Sequence, residues 1–162
     1  MIPTRNDLVR LLDRLDARVG VELGVAKGNF SHHLVTRHRF ERFYLIDKWN
    51  DHHDSAEKQF VEARFAKQPN VVILHDTFAN CVGRFPDGYF DFIYIDGYAH
   101  TGQDKGRTLS AWYSKLKPGA STRATITARS GRRRFKAWTR SPKAKARRFM
   151  SLAGTSTRRG TS

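Results

Sequence analysis

One cysteine, Cys81, is too few for an internal disulfide or a cysteine-based zinc site. No apolar run approaches the ~18–20 residues that span a bilayer. The opening Met1-Ile-Pro-Thr-Arg-Asn-Asp7 has no apolar stretch of the signal-peptide kind. No internal repeat and no heptad pattern is present. These absences point to a soluble, cytoplasmic protein without a membrane partner, and leave its oligomeric state open. The most informative shortage is of acid, because the last acidic side chain is Asp104. Residues 1–119 hold 17 basic and all 15 acidic residues, whereas 120–162 hold 13 basic residues and no acid. The formal charge of +15 therefore belongs to a nearly neutral body carrying a cationic tail. A charge of that size would otherwise suggest a nucleic-acid partner.

The 162-residue chain is long enough for one domain, and with 39% hydrophobic and 12% aromatic residues it can fill a core. Leu8, Leu11, Leu12 and Leu15 recur at helical spacing, with Asn6 placed to cap a helix over 7–16. Val19–Val25 reads as a buried strand running into the turn Gly24-Val-Ala-Lys-Gly28. A helical pattern resumes over 29–38 with Phe30, Leu34 and Val35 on one side. Further strands are expected over 43–47, 71–75 and 90–96. Helices are expected over 54–67, with Phe60, Ala63 and Val61 inward, over 77–84, and over 102–116 before the stop Lys117-Pro-Gly119. Strands alternating with helices imply βαβ units and a doubly wound, mostly parallel α/β sheet. Near-continuous apolar strands fit burial on both faces.

In such sheets ligands sit beyond the carboxyl ends of the strands. The motif Glu22-x-Gly24-x-x-x-Gly28 falls there. Its glycines allow a sharp turn and close backbone approach, and Glu22 could accept hydrogen bonds from a cationic amine. The spacing is not that of G-x-G-x-x-G, and an ordinary βα turn gives the same pattern. Asp47 ends the second strand, where a carboxylate serves either ribose hydroxyls or a helix cap. Asp76 and Thr77 end the third, as acceptor for an adenine amino group or as a cap. Asp96 and His100 end the fourth, suited to a metal, a substrate hydroxyl or general-base work, or to a solvated loop. His32 and His33 are adjacent on one helix, so their side chains diverge and read as surface groups.

Four segments in order carry a resemblance: Val21-Glu-Leu-Gly-Val-Ala-Lys-Gly28, Tyr44-Leu-Ile-Asp47, Phe92-Ile-Tyr-Ile-Asp-Gly-x-x-His100 and Leu116-Lys-Pro-Gly119. Together they resemble the class I S-adenosylmethionine-dependent methyltransferases over roughly residues 17–119. Within these they are most similar to the small-molecule group that includes macrocin-type sugar O-methyltransferases. The resemblance implies that Glu22 and Gly24 contact the methionine part of S-adenosylmethionine and that Gly28 lets the helix start close by. It implies Asp47 at the ribose, Lys48 or Trp49 beside the adenine, and Asp76 and Thr77 near that ring. Asp96 would lie near the methyl group and the acceptor, where metal-dependent relatives hold a divalent ion such as Mg2+.

After Gly119 the resemblance expects an apolar fifth strand and a His-Asp-Tyr-like motif, so the family sheet reads as incomplete here. Residues 120–162 instead run Ala-Ser-Thr-Arg-Ala-Thr-Ile-Thr and stay free of acid, as a disordered tail would. Read one base earlier, from the last base of the Gly119 codon, the same codons permit Gly-Val-Tyr-Ala-Gly-His-Asp-Tyr. This segment is therefore either a frameshift product or a selected tail, in which Arg132-Arg-Arg-Phe-Lys-Ala-Trp138 could bind nucleic acid. The chain reads as a methyltransferase for a small-molecule acceptor, as a truncated relative that binds cofactor without turnover, or as a non-enzymatic protein using its tail.

Overall fold

The computed structural model describes residues 5–50, 54–96, 107–118, 125–130 and 134–139. Its elements are α1 (Arg5–Leu15), β1 (Val19–Leu23), α2 (Asn29–Val35), β2 (Arg42–Asp47), α3 (Ser55–Phe65) and β3 (Val71–His75). They continue with α4 (Phe78–Val82), β4 (Phe92–Ile95), α5 (Arg107–Tyr113), β5 (Thr125–Ser130) and β6 (Arg134–Thr139). The six strands form one sheet in the order β3-β2-β1-β4-β5-β6. The first five run parallel, and β6 returns antiparallel against β5. The order reverses between β1 and β4, the kind of switch point at whose carboxyl ends open α/β sheets bind ligands.

Alternation along the strands sends side chains to two cores. Phe43, Leu45, Phe92 and Tyr94 meet α1, α2 and α3 through Leu8, Leu12, Phe30, Leu34, Val61 and Phe65. Val21, Leu23, Ile46, Ile93 and Ile95 face the other way, onto Phe78 and Cys81 of α4 and Trp112 of α5. Both faces of the sheet are thus covered, which is why β1, β2 and β4 read as apolar runs. Trp112 also donates its indole N–H to the Phe78 carbonyl at 3.3 Å, tying α5 to α4.

Several local expectations change. Asn6 lies inside α1, one residue after its first, rather than ahead of it. On α3 the inward residues are Val61 and Phe65, four apart; Phe60 is 49% exposed and lies under the Arg64 guanidinium, 4.6 Å from its ring centroid. Ala63 is also exposed. The helix phase is set by Asp54, whose carboxylate accepts from the Ala56 and Glu57 amides and starts the helix there. β4 begins at Phe92, and Asp91 just before it turns its side chain onto the chain itself. It accepts from the Arg18 and Val19 amides at 3.0 and 2.9 Å and pairs with Lys117 at 2.8 Å. Within the segment after Gly119, residues 125–130 and 134–139 form β5 and β6 at the edge of the sheet. In β5, Thr125-Ile-Thr127 supplies β-branched residues, and β4 offers an open edge beside it.

Tyr44 of β2 shares a 2.8 Å hydroxyl–hydroxyl bond with Tyr89. Burial, then the Tyr89 bond, pushes its pKa from 10.0 up to about 12. An unfolded chain would release this proton first, so the stability it contributes is full below pH 10.0 and is lost as pH rises towards about 12. Urea midpoints measured across that interval should fall less steeply in Tyr44→Phe than in the parent chain.

Candidate functional site

The parallel strands end on one rim. The Gly24 amide bonds the Ile46 carbonyl, the Asp76 amide bonds that of Asp47, and the Asp96 amide bonds that of Leu23, at 2.9, 3.0 and 2.9 Å. Register places Glu22 beside Leu45 and Tyr94. Since residues two apart share a face, Glu22, Asp47 and Asp96 all belong to the α1–α2–α3 side of the sheet. Three acidic residues from three adjacent strands thus share a face at the carboxyl rim.

Glu22 is 1% exposed. Its Oε2 accepts from the hydroxyl of Ser31, on α2, at 2.5 Å. Asp47 is 6% exposed, and its carboxylate grips two segments at once. Oδ2 accepts from the Val25 and Ala26 amides at 2.7 and 2.9 Å. Oδ1 accepts from the Lys48 and Trp49 amides at 2.7 and 3.3 Å. The β1–α2 turn is therefore fastened to the exit of β2.

That turn is bent as tightly as its sequence suggests. Gly24 and Gly28 take φ values of 92° and 66°, which glycine adopts freely. Gly28 has a second reason: a Cβ there would sit 3.1 Å from Phe65 and 3.3 Å from Val61, so its absence lets α3 close onto the start of α2. Ala26 and Trp49 also have positive φ, 49° and 38°, at a cost of roughly 1 kcal/mol or more each. The bonds to Asp47 hold both, and the Trp49 indole N–H adds a 3.0 Å bond to the Ala26 carbonyl. Trp49 is buried against the core, its ring 6.0 Å from that of His75. His75 in turn hydrogen-bonds the Lys48 carbonyl at 2.8 Å.

Asp76 and Thr77 build the start of α4. The Thr77 hydroxyl accepts from the Asn80 amide at 3.2 Å. Asp76 accepts from the Thr77 amide and from the Asn80 side chain, and pairs with Arg84. The Asn80 bond and the Thr77 amide, with help from Arg84, hold its carboxyl below the usual carboxylate range. Asp96 is half-buried at the end of β4. His100 lies outside the described residues. Among the described residues no group of three or more His, Cys, Asp or Glu side chains gathers as a metal site. His38 joins α1 to the segment after α2, with its ring nitrogens 2.6 Å from the Asp13 carboxylate and 2.6 Å from the Ala17 carbonyl.

Sequence reasoning missed Ser31, Asp91 and the double grip of Asp47. Signals for the first two were present. Ser31 is a small polar residue beside Phe30 on the inward stripe of a short helix, and Asp91 interrupts an apolar run.

Residues 21–122 match the methyltransferase domain family, and the chain belongs to it. Solved structures agree on the fold. A Staphylococcus aureus protein described as a caffeoyl-CoA O-methyltransferase matches with a TM-score of 0.61 at 16% identity, over 78% of this chain and 59% of its own. The N-methyltransferase NodS of Bradyrhizobium japonicum matches with a TM-score of 0.57 at 17% identity, over 76% and 64%. A second structure of NodS, in complex with S-adenosyl-L-homocysteine, gives 0.57 at 16%, over 76% and 58%. The chain thus spans less than two thirds of each of these proteins. No curated protein matches it. The sheet order and the helices on both faces are those of the Rossmann-like class I methyltransferase fold. Among the described residues no helix is long and apolar enough to cross a membrane.

Proposed function

We propose that the rim of β1, β2 and β4 binds S-adenosylmethionine and that the protein directs its methyl group to a small-molecule acceptor, a hydroxyl of a sugar or of another small compound. The observation that carries this reading is the alignment of Glu22, Asp47 and Asp96 on one face where the strand order reverses. When bound, the cofactor supplies a methyl group already activated by its sulfonium.

The residues fit the cofactor's polar groups unequally. Glu22 is a carboxylate at the base of a glycine turn, suited to the amino group of the methionine part. Asp47 has already committed three short bonds to the chain, and its longest, 3.3 Å from the Trp49 amide to Oδ1, marks the oxygen a ribose hydroxyl can share. Lys48 and Trp49 border the adenine end, and Asp76 and Thr77 contribute there through the helix they start. Asp96 would orient the acceptor. The protein's own contribution is alignment of acceptor and methyl group and exclusion of water.

Calorimetry on the full chain tests this. S-adenosylmethionine and S-adenosylhomocysteine should both bind. Glu22→Gln should weaken both by about tenfold, the scale of one charge-assisted hydrogen bond. Absence of heat with either ligand, on protein shown to be folded, overturns the reading.

A further inference from the structure

We propose that Ser31 is a positioning residue: its hydroxyl fixes the Glu22 carboxylate in the orientation that selects a ligand bearing a cationic amino group. This inference rests on the amine-binding reading of Glu22 and names what prepares that side chain. A glutamate has three side-chain torsions, and its carboxylate can rotate unless something holds it. Here the holder comes from another element. Ser31 lies on α2, two residues into the helix, and is 0% exposed. Its hydroxyl reaches Glu22 Oε2 at 2.5 Å, a length found for O–H···O⁻ bonds.

The choice of partner is informative. A serine in a helix commonly turns its hydroxyl back to the carbonyl four residues earlier. Ser31 instead donates across to β1. Around it Phe30 and Leu34 are buried and apolar, so a buried hydroxyl is costly there unless it has a specific partner. A hydroxyl donates once, so it engages one carboxylate oxygen, Oε2, and restricts the rotation of the carboxylate. The backbone supports the same geometry, because the turn between Glu22 and Ser31 is fastened by Asp47 at Val25 and Ala26. Ser31 therefore sits at the end of a rigid connection, able to hold Glu22 without following it.

The test uses the full chain and two probes, S-adenosylhomocysteine and its analogue lacking the α-amino group, with affinities from calorimetry. The parent chain should prefer the amine-bearing probe. Ser31→Ala should reduce that preference about tenfold, chiefly by weakening the amine-bearing probe. Ser31→Cys keeps the volume but donates weakly; it should show the same loss, which guards against an alanine variant that does not fold. A lower melting temperature with an unchanged preference in folded Ser31 variants overturns the inference and leaves Ser31 as a packing residue. Glu22→Gln separates the two levels. If it abolishes the preference while the Ser31 variants do not, amine binding by Glu22 stands and only the Ser31 role falls. If Glu22→Gln keeps the parental preference, both fall.

Discussion

Replacing Asp47 by alanine should destabilise the protein by on the order of 3–5 kcal/mol, a large share of the 5–15 kcal/mol that holds a typical domain together. Four backbone amides lose their acceptor at once: Val25 and Ala26 on one side, Lys48 and Trp49 on the other. The Val25 and Trp49 bonds are buried, so their amides would have little access to water as a substitute. Ala26 and Trp49 would also keep their unfavourable φ without the bonds that enforce it. Asp47→Asn should fall between parent and alanine. Its oxygen can serve one pair of amides, while its NH2 faces the other pair as a donor against donors. Urea midpoints give the order, and amide exchange at Val25 and Ala26 locates the loss. Equal midpoints for parent and alanine variants would mean that the turn is held by its glycines and its packing alone. Affinity for S-adenosylhomocysteine, measured below the unfolding range, should drop in both variants.

The parts of this fold that were plain in the sequence are those where physics leaves little choice. A parallel strand buried on both faces must be apolar throughout, and Phe43-Tyr-Leu-Ile and Phe92-Ile-Tyr-Ile show it. Glycines at 24 and 28 announced a turn that the structure builds with positive φ. The rim carboxylates were legible as chemistry but not as partners. An acid after a strand looks the same whether it awaits a ligand, starts a helix as Asp76 does with Thr77, or clamps two loops as Asp47 does. The difference lies in amides brought together by folding, which composition and spacing do not encode. Phe60 shows the same limit within one helix: it and its neighbour Val61 both read as inward, and the folded helix buries only Val61 of the two. β5 and β6 were illegible for another reason. Their strand propensity is masked by arginine-rich surroundings, and what orders them is the neighbouring edge of β4 rather than an apolar pattern of their own.

That edge gives the second large effect. Ending the chain at Gly119 should take the protein largely out of solution. β4 bonds β1 on one side and β5 on the other, and its four residues Phe92-Ile-Tyr-Ile95 are wholly buried. Removing β5 and β6 leaves an apolar strand with a row of unsatisfied amides and carbonyls, a template for pairing between copies. Truncation also removes 13 basic residues and lowers the net charge from +15 to +2, which by itself weakens repulsion between molecules. The two causes separate in full-length Ile126→Pro. Ile126 pairs with Ile93 of β4 and Trp138 of β6. Proline there removes an amide from the ladder and is poorly tolerated inside a sheet, while every charge stays in place. If strand pairing protects β4, this variant should sediment and bind a cross-β dye much as the truncated chain does. If it remains as soluble as the parent, charge is what keeps the molecule apart. In that case a frameshifted origin for the segment, which the nucleotide sequence across codons 117–128 can establish, would cost the sheet little.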